Sequence, residues 1–235
     1  MGKSLIQQAR GKGGPSYVAR SFRYKSSAKH PATARNGTIT DFVKCPGHSA
    51  PLAEVTYEDG TIAFLIAPEG VRVGDPINAT PQADPRVSGS ILALANIPEG
   101  TNIYNIESQP GDGGKFCRTS GNAARLISKT DQYAIVVLPS RRERQFLLSC
   151  RASIGTIAGG GRKEKPFLKA GTRHHAKRMK NKRYPMISGA AQNAVDHPFG
   201  NKRTSRKAKQ RPAPRFAPAG RKVGKLHPTR TGRKK

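Results

Sequence analysis

Tryptophan is absent from this 235-residue chain, methionine and cysteine occur three times each, and only 14 residues are acidic against 43 lysines and arginines. Each shortage excludes something. Cys45, Cys117 and Cys150 are too few and too scattered to frame a disulfide-stapled scaffold, and they fit a reducing compartment. No apolar run approaches the roughly 18 residues that a membrane-spanning helix needs. The opening MGKSLIQQARGKGG lacks the apolar centre of a secretory leader, and Gly2 lacks the context for myristoylation. The shortage of acid leaves a net charge of +29. A charge of that size points to a polyanionic partner, nucleic acid first and an anionic membrane surface second.

The charge is unevenly spread. Residues 1–36 hold 8 basic residues and no acid, residues 37–150 hold 10 basic and 12 acidic, and residues 151–235 hold 25 basic and 2 acidic. A nearly neutral middle is thus flanked by cationic arms. Residues 196–235, rich in Pro, Gly, Lys and Arg, cannot bury enough apolar surface to fold alone. The middle reads as β. VTYEDGTIAFLI alternates Val55, Tyr57, then Ile62, Phe64, Ile66 around an Asp59-Gly60 turn, a hairpin signal. TITDFV, YAIVVL and QFLLSC are further strands, and GNAARLISK reads as a short helix or an irregular strand. Turns recur at PEG 68–70, PEG 98–100 and PGDGG 110–114, which suggests small barrels.

Several motifs could carry chemistry. GDGGKF resembles part of a phosphate loop, but Gln109 stands where a Walker glycine belongs and Phe116 where its Ser or Thr belongs. It reads instead as a turn that presents backbone N–H groups to phosphates. GGGRKEK at 159–165 reads the same way. CPGH at 45–48 offers a zinc-ligand pair, but Cys117, Cys150, His30 and His174-His175 give no second pair at ligand spacing, so the stretch reads as a turn with Cys45 half-buried. No nucleophile elbow occurs. Asp196-His197 in VDHPFG could be an acid–base pair, a metal fragment or a shaped loop. The run RKEKPFLKAGTRHHAKRMKNKRYP sets cations among Phe167, His174, His175 and Tyr184, a mixture suited to phosphates and unpaired bases.

GTITDFVKCPGHSAPLAEV, NIPEGTNIYNIESQPGDGGKFCRTSGNAARLI, CRASIGTI and GAAQNAVDHPFG, followed by AGRKVGKL and RTGRKK, resemble the ribosomal protein L2 family of the large subunit, in its archaeal form. The resemblance spans nearly the whole chain. It departs after Gly200, where Asn201 and Lys202 replace further glycines, and at Ala190 and Gln192. It implies an all-β core, an OB-fold barrel at 37–88 followed by an SH3-like barrel at 89–170, between basic extensions at 1–36 and 171–235. It implies a non-enzymatic role without cofactor, metal or membrane. The implied partners are 23S-type rRNA of the large subunit, neighbouring ribosomal proteins and the small subunit, with a loop running toward the peptidyl-transferase region.

The rRNA-facing candidates are Arg10, Lys12, Arg20 and Arg23 in the first extension, and Lys115, Arg118, Arg125, Arg151 and Arg162 in the turns and exits of the middle. Lys177, Arg178, Lys180, Arg183, His197, Lys202, Arg203, Arg206, Arg221 and Lys222 complete the set. Arg118 and Arg151 each flank a strand in a segment with few acids nearby, and both are expected on one RNA-facing surface. His197 is expected to shape its loop and to meet RNA, because peptide-bond chemistry in the ribosome belongs to RNA. The rivals are a free nucleic-acid chaperone or chromatin-like protein, and an enzyme built on Asp196-His197.

Overall fold

The computed structural model describes residues 5–10, 12–15, 17–201, 213, 215–218 and 220–224. The chain divides into two compact units, Ser21–Leu168 and Met1–Arg20 with Lys169–Lys235.

Unit Ser21–Leu168 is all-β. Its first sheet contains β1 (Asn36–Val43), β2 (Leu52–Tyr57), β3 (Ile62–Ile66) and β4 (Pro76–Asn78), in the order β3-β2-β1-β4. The Asp59-Gly60 turn closes the β2–β3 hairpin: Gly60 takes φ +78, and Asp59 accepts the Thr61 N–H at 3.1 Å. The pairing Leu52↔Ile66, Val55↔Ala63 corrects the apolar alternation. Val55 and Tyr57 share a face with Ala63 and Leu65, and they join a core with Ile39 and Ile77. Leu52, Phe64 and Ile66 lie in a second cluster, and Ile62 is exposed. Parity across a hairpin follows from the register, which alternation along each strand alone does not supply.

The second sheet contains β5 (Ile91–Ala93), β6 (Asn102–Tyr104), β7 (Ala124–Lys129), β8 (Tyr133–Val137), β9 (Glu143–Leu147) and β10 (Arg151–Ile154), in the order β5-β10-β6-β7-β8-β9. GNAARLISK is therefore a strand, irregular at the register shift between Leu126 and Ser128. Leu92, Leu94, Ile97, Ile103, Leu126, Val136 and Phe146 form its core. The strand pairs among the described residues leave both sheets open. A third apolar cluster joins them: Tyr104 and Ile157 pack with Leu52, Ile66, Cys45 and Ala28, and the Tyr104 hydroxyl donates to the Ile66 carbonyl at 3.1 Å. Neither sheet has to be stable alone, which matters for sheets this small.

Among its described residues the other unit has two α-helices, α1 (Ile6–Arg10) and α2 (Ala170–Met179). Its second helix falls in a stretch to which the sequence assigned no regular structure. Asn181, in the left-handed region at φ +49, turns the chain after α2. The Asn181 amide donates to the carbonyls of Pro15 at 3.2 Å and Val18 at 2.6 Å, tying the first segment of the unit to the second.

Candidate nucleic-acid interface

The most ordered electrostatics of the sheet unit surround Glu107, an acid that the charge pattern did not single out. Its side chain is fully buried. The Arg151 guanidinium meets it at 2.9 Å, and the Arg151 backbone N–H donates to its other oxygen at 2.9 Å. Burial alone would raise the Glu107 carboxyl, but these bonds outweigh burial and hold it below the usual range. Arg151 also donates to the Pro31 carbonyl at 2.7 Å, and Arg118 donates to the Ala28 carbonyl at 2.6 Å and to Gly114 at 3.2 Å. The two arginines thus fasten the strap 28–31 across the sheets. Few acids lie near Arg151 in sequence, but Glu107 lies against it in space, because β10 and the segment after β6 meet although 44 residues separate them.

The strap carries His30, only 5% exposed. Its Nε2–H donates to the Asn105 carbonyl at 2.7 Å, and its backbone N–H donates to Gly113 at 3.0 Å. Burial pushes the imidazole down to about 4, so it is neutral at pH 7.

The PGDGG turn also departs from expectation. The Gly111 and Gly113 N–H groups donate to Glu107 at 3.2 and 3.3 Å. The Gly114 N–H donates to Asp112 at 3.0 Å, and the Ser108 and Gln109 N–H groups donate to the other Asp112 oxygen at 3.0 and 3.2 Å. This amide nest holds the protein's own carboxylates, so those N–H groups are not presented to phosphate. Lys115, exposed beside it, pairs with Asp112 at 3.1 Å.

CPGH is a turn in which the His48 N–H donates to the Cys45 carbonyl at 3.2 Å. Cys45 is buried at 3% exposure rather than half-buried, because it packs with Ala28, Ala50 and Leu52 under the strap. Burial raises the Cys117 thiol to about 11, far from a reactive thiolate. Among the described residues no three His, Cys, Asp or Glu side chains gather as metal ligands, and no helix is long and apolar enough to cross a membrane.

The VDHPFG loop in the second unit is wound tightly. The Asp196 and His197 N–H groups donate to the Asn193 carbonyl at 3.0 and 3.1 Å, and the Gly200 N–H donates to the His197 carbonyl at 2.8 Å. His197 Nδ1 accepts the Phe199 N–H at 3.1 Å, which leaves the ring proton on Nε2 in the neutral form. A Cβ on Gly189 would stand 2.3 Å from the His197 ring, and one on Gly200 would stand 2.2 Å from the Asn193 carbonyl oxygen. Asn201 takes φ +55. Asparagine tolerates that region better than most residues, which explains why it can follow Gly200 in place of another glycine.

The remaining candidates divide by unit. Arg23, Arg125 and Arg162 are exposed on the sheet unit, with Arg162 donating to the Ser120 hydroxyl at 3.2 Å. Arg10, Lys12, Arg178, Lys180, Arg183 and Arg221 are exposed in the second unit, and Arg20, Lys177 and Lys222 are half-buried there. Lys202, Arg203 and Arg206 lie outside the described residues. The α2 sequence AGTRHHAKRM contains no acid and buries no residue. Sequence reading missed Glu107, His30 and Asn181. A carboxylate just before a glycine-rich turn was the available signal for the first; the other two depend on distant partners.

A β core that binds Glu107 internally, in a chain of net charge +29, fits a structural protein with a polyanionic partner. A family model described as Ribosomal Proteins L2, C-terminal domain, matches residues 87–218. The large ribosomal subunit protein uL2 of Methanobrevibacter smithii is 46% identical over the whole of both chains. That of Halorubrum lacusprofundi is 45% identical over 99% of this chain and 98% of its own, and that of Haloarcula marismortui is 44% identical over the same shares. The chain belongs to the ribosomal protein L2 family. It is a ribosome-bound, non-enzymatic structural constituent of the large subunit.

Proposed function

We propose that the chain binds large-subunit rRNA through its cationic extensions, supports subunit assembly and association with the small subunit, and lends its VDHPFG loop to the peptidyl-transferase region. It does this in the cytoplasm, beside neighbouring ribosomal proteins. Residues 37–88 act as the OB-fold module and 89–170 as the SH3-like module. The observation that carries this reading is α2. A short helix that buries no side chain and has no acid to pair its cations gains little stability from its own chain. A phosphate backbone supplies both the counter-charge and the packing surface.

Arg151 serves this function indirectly, by holding the strap and the PGDGG turn in place, whereas Arg118 both holds the strap and lines an open cavity beside it. His197 shapes its loop through the Phe199 N–H and takes no part in proton transfer. The test is sedimentation of tagged protein from a lysate, followed by footprinting on purified rRNA. One copy per large subunit with discrete protections supports the reading; a free or chromatin-bound pool, or sequence-indifferent coating of any RNA, supports the chaperone alternative and overturns it.

A further inference from the structure

The CPGH turn has a second consequence. Together with the segment 21–29 and Arg118 it walls an open cavity of about 390 Å³. Pockets for small ligands run from about 300 to 1,000 Å³, so the space suits one compact group. Tyr24 is half-buried against the apolar cluster of Ala28, Cys45, Leu52 and Ile157. Its ring lies so close to the Gly47 backbone that a Cβ there would stand 2.6 Å from Cδ2. Glycine is therefore required at 47 for the ring to sit where it does. The His48 ring stands 6.3 Å from that of Tyr24, tilted by 59°.

Two flat rings thus meet at one cavity. Its charged lining residues are Lys29 and Arg118, and its lining contains no acid. Arg118 is held on the wall by its bond to the Ala28 carbonyl. Ser26 and Ser27 add hydroxyls. A bare phosphate would use the cations and waste the rings. An acidic peptide would do the same. A nucleobase uses both, because its face stacks on an aromatic side chain while its phosphate lies within reach of the cations.

We propose that this cavity takes one unstacked nucleobase of the bound RNA, with Tyr24 as the stacking surface and Lys29 and Arg118 facing the phosphate. This rests on the rRNA-binding reading and adds a defined base site to it. The test has two parts. Ultraviolet crosslinking of the full-length protein to its large-subunit rRNA should give a nucleotide adduct on the peptide holding Tyr24 or the one holding His48. In filter binding to the same rRNA, Tyr24→Phe should stay within about twofold of wild type. Tyr24→Leu should lose between about fivefold and a hundredfold. Gly47→Ala should lose affinity in the same direction, and Lys29→Glu, which changes an exposed side chain and keeps the Cβ and Cγ that lie against Gly113, should lose it without lowering the melting temperature. An adduct absent from both peptides overturns the site, as does a Lys29→Glu or a folded Tyr24→Leu protein that binds like wild type. Steep salt dependence retained by the wild-type protein would show that rRNA binding stands even then.

Discussion

Arg151 and His30 act on stability in opposite electrostatic ways. Arg151 neutralises the fully buried Glu107. Arg151→Ala leaves that carboxylate uncompensated and should destabilise the protein by about 3–5 kcal/mol. Glu107→Gln should be milder, because the amide keeps an acceptor oxygen for Arg151. Urea unfolding of both single variants and the double variant checks this; a loss under about 1 kcal/mol for Arg151→Ala would show that the pair is not the fastening it resembles. His30 is held neutral, from the ordinary 6.5 down to about 4. Between those values the unfolded chain binds a proton that the folded chain does not. Stability from this site is therefore complete above pH 6.5 and is lost as pH falls toward 4. The groups facing the ring are Glu107, which favours the proton, and Arg151 and Arg118, which oppose it. Glu107 titrates below the ordinary 4.5, so its own loss comes at lower pH. Thermal melts from pH 4 to 7 should show this slope in wild type and a much weaker one in His30→Gln, which retains a donor for the Asn105 carbonyl.

Among the elements, the VDHPFG loop is the sharpest case. Its shape depends on Gly200 pressed against the Asn193 carbonyl and on the acceptor at His197 Nδ1. His197→Gln keeps a side chain that can accept and donate, so it should assemble into large subunits. Single-turnover peptide transfer on purified mutant ribosomes should then fall less than about tenfold, equal to about 1.4 kcal/mol. A loss above a hundredfold with intact assembly and a missing ionisation in the pH–rate profile would make the histidine catalytic. Gly200→Ala should impair assembly more, because no rotamer removes its Cβ from the backbone. The Asp59-Gly60 hairpin, β1 and β8 were legible in the sequence because branched or aromatic residues and turn residues lie next to one another; QFLLSC overlaps β9 only at 145–147, and Leu148 and Ser149 turn. β4, β5 and β6 are three residues each. A strand that short has almost no period to read, and only its partners define it. Helix α2 escaped for a related reason: with no buried face it has no apolar stripe.

At the scale of the whole molecule, 25 cations against 2 acids after residue 150 separate binding from folding. Deleting residues 202–235 should leave the unfolding transition of the sheets in place, since every strand among the described residues lies within 36–154. Affinity for rRNA should fall and its dependence on salt should become shallower, because fewer counterions are released. Filter binding from about 50 to 200 mM salt measures this, and equal slopes for the full and shortened chains would refute it.

The sequence by itself determined the class of protein: an all-β middle, two cationic flanks, no cysteine framework, and the long motifs of the L2 family. Those properties are sums over residues or patterns between near neighbours, so they survive without coordinates. Tertiary structure decided which groups partner which. Arg151 reaches Pro31 across 120 positions and Arg118 reaches Ala28 across 90. The PGDGG amides close on Glu107 rather than on an external anion. Side-chain type states what a group can bond. Only the packed chain sets which acceptor is near enough and buried enough for the bond to form.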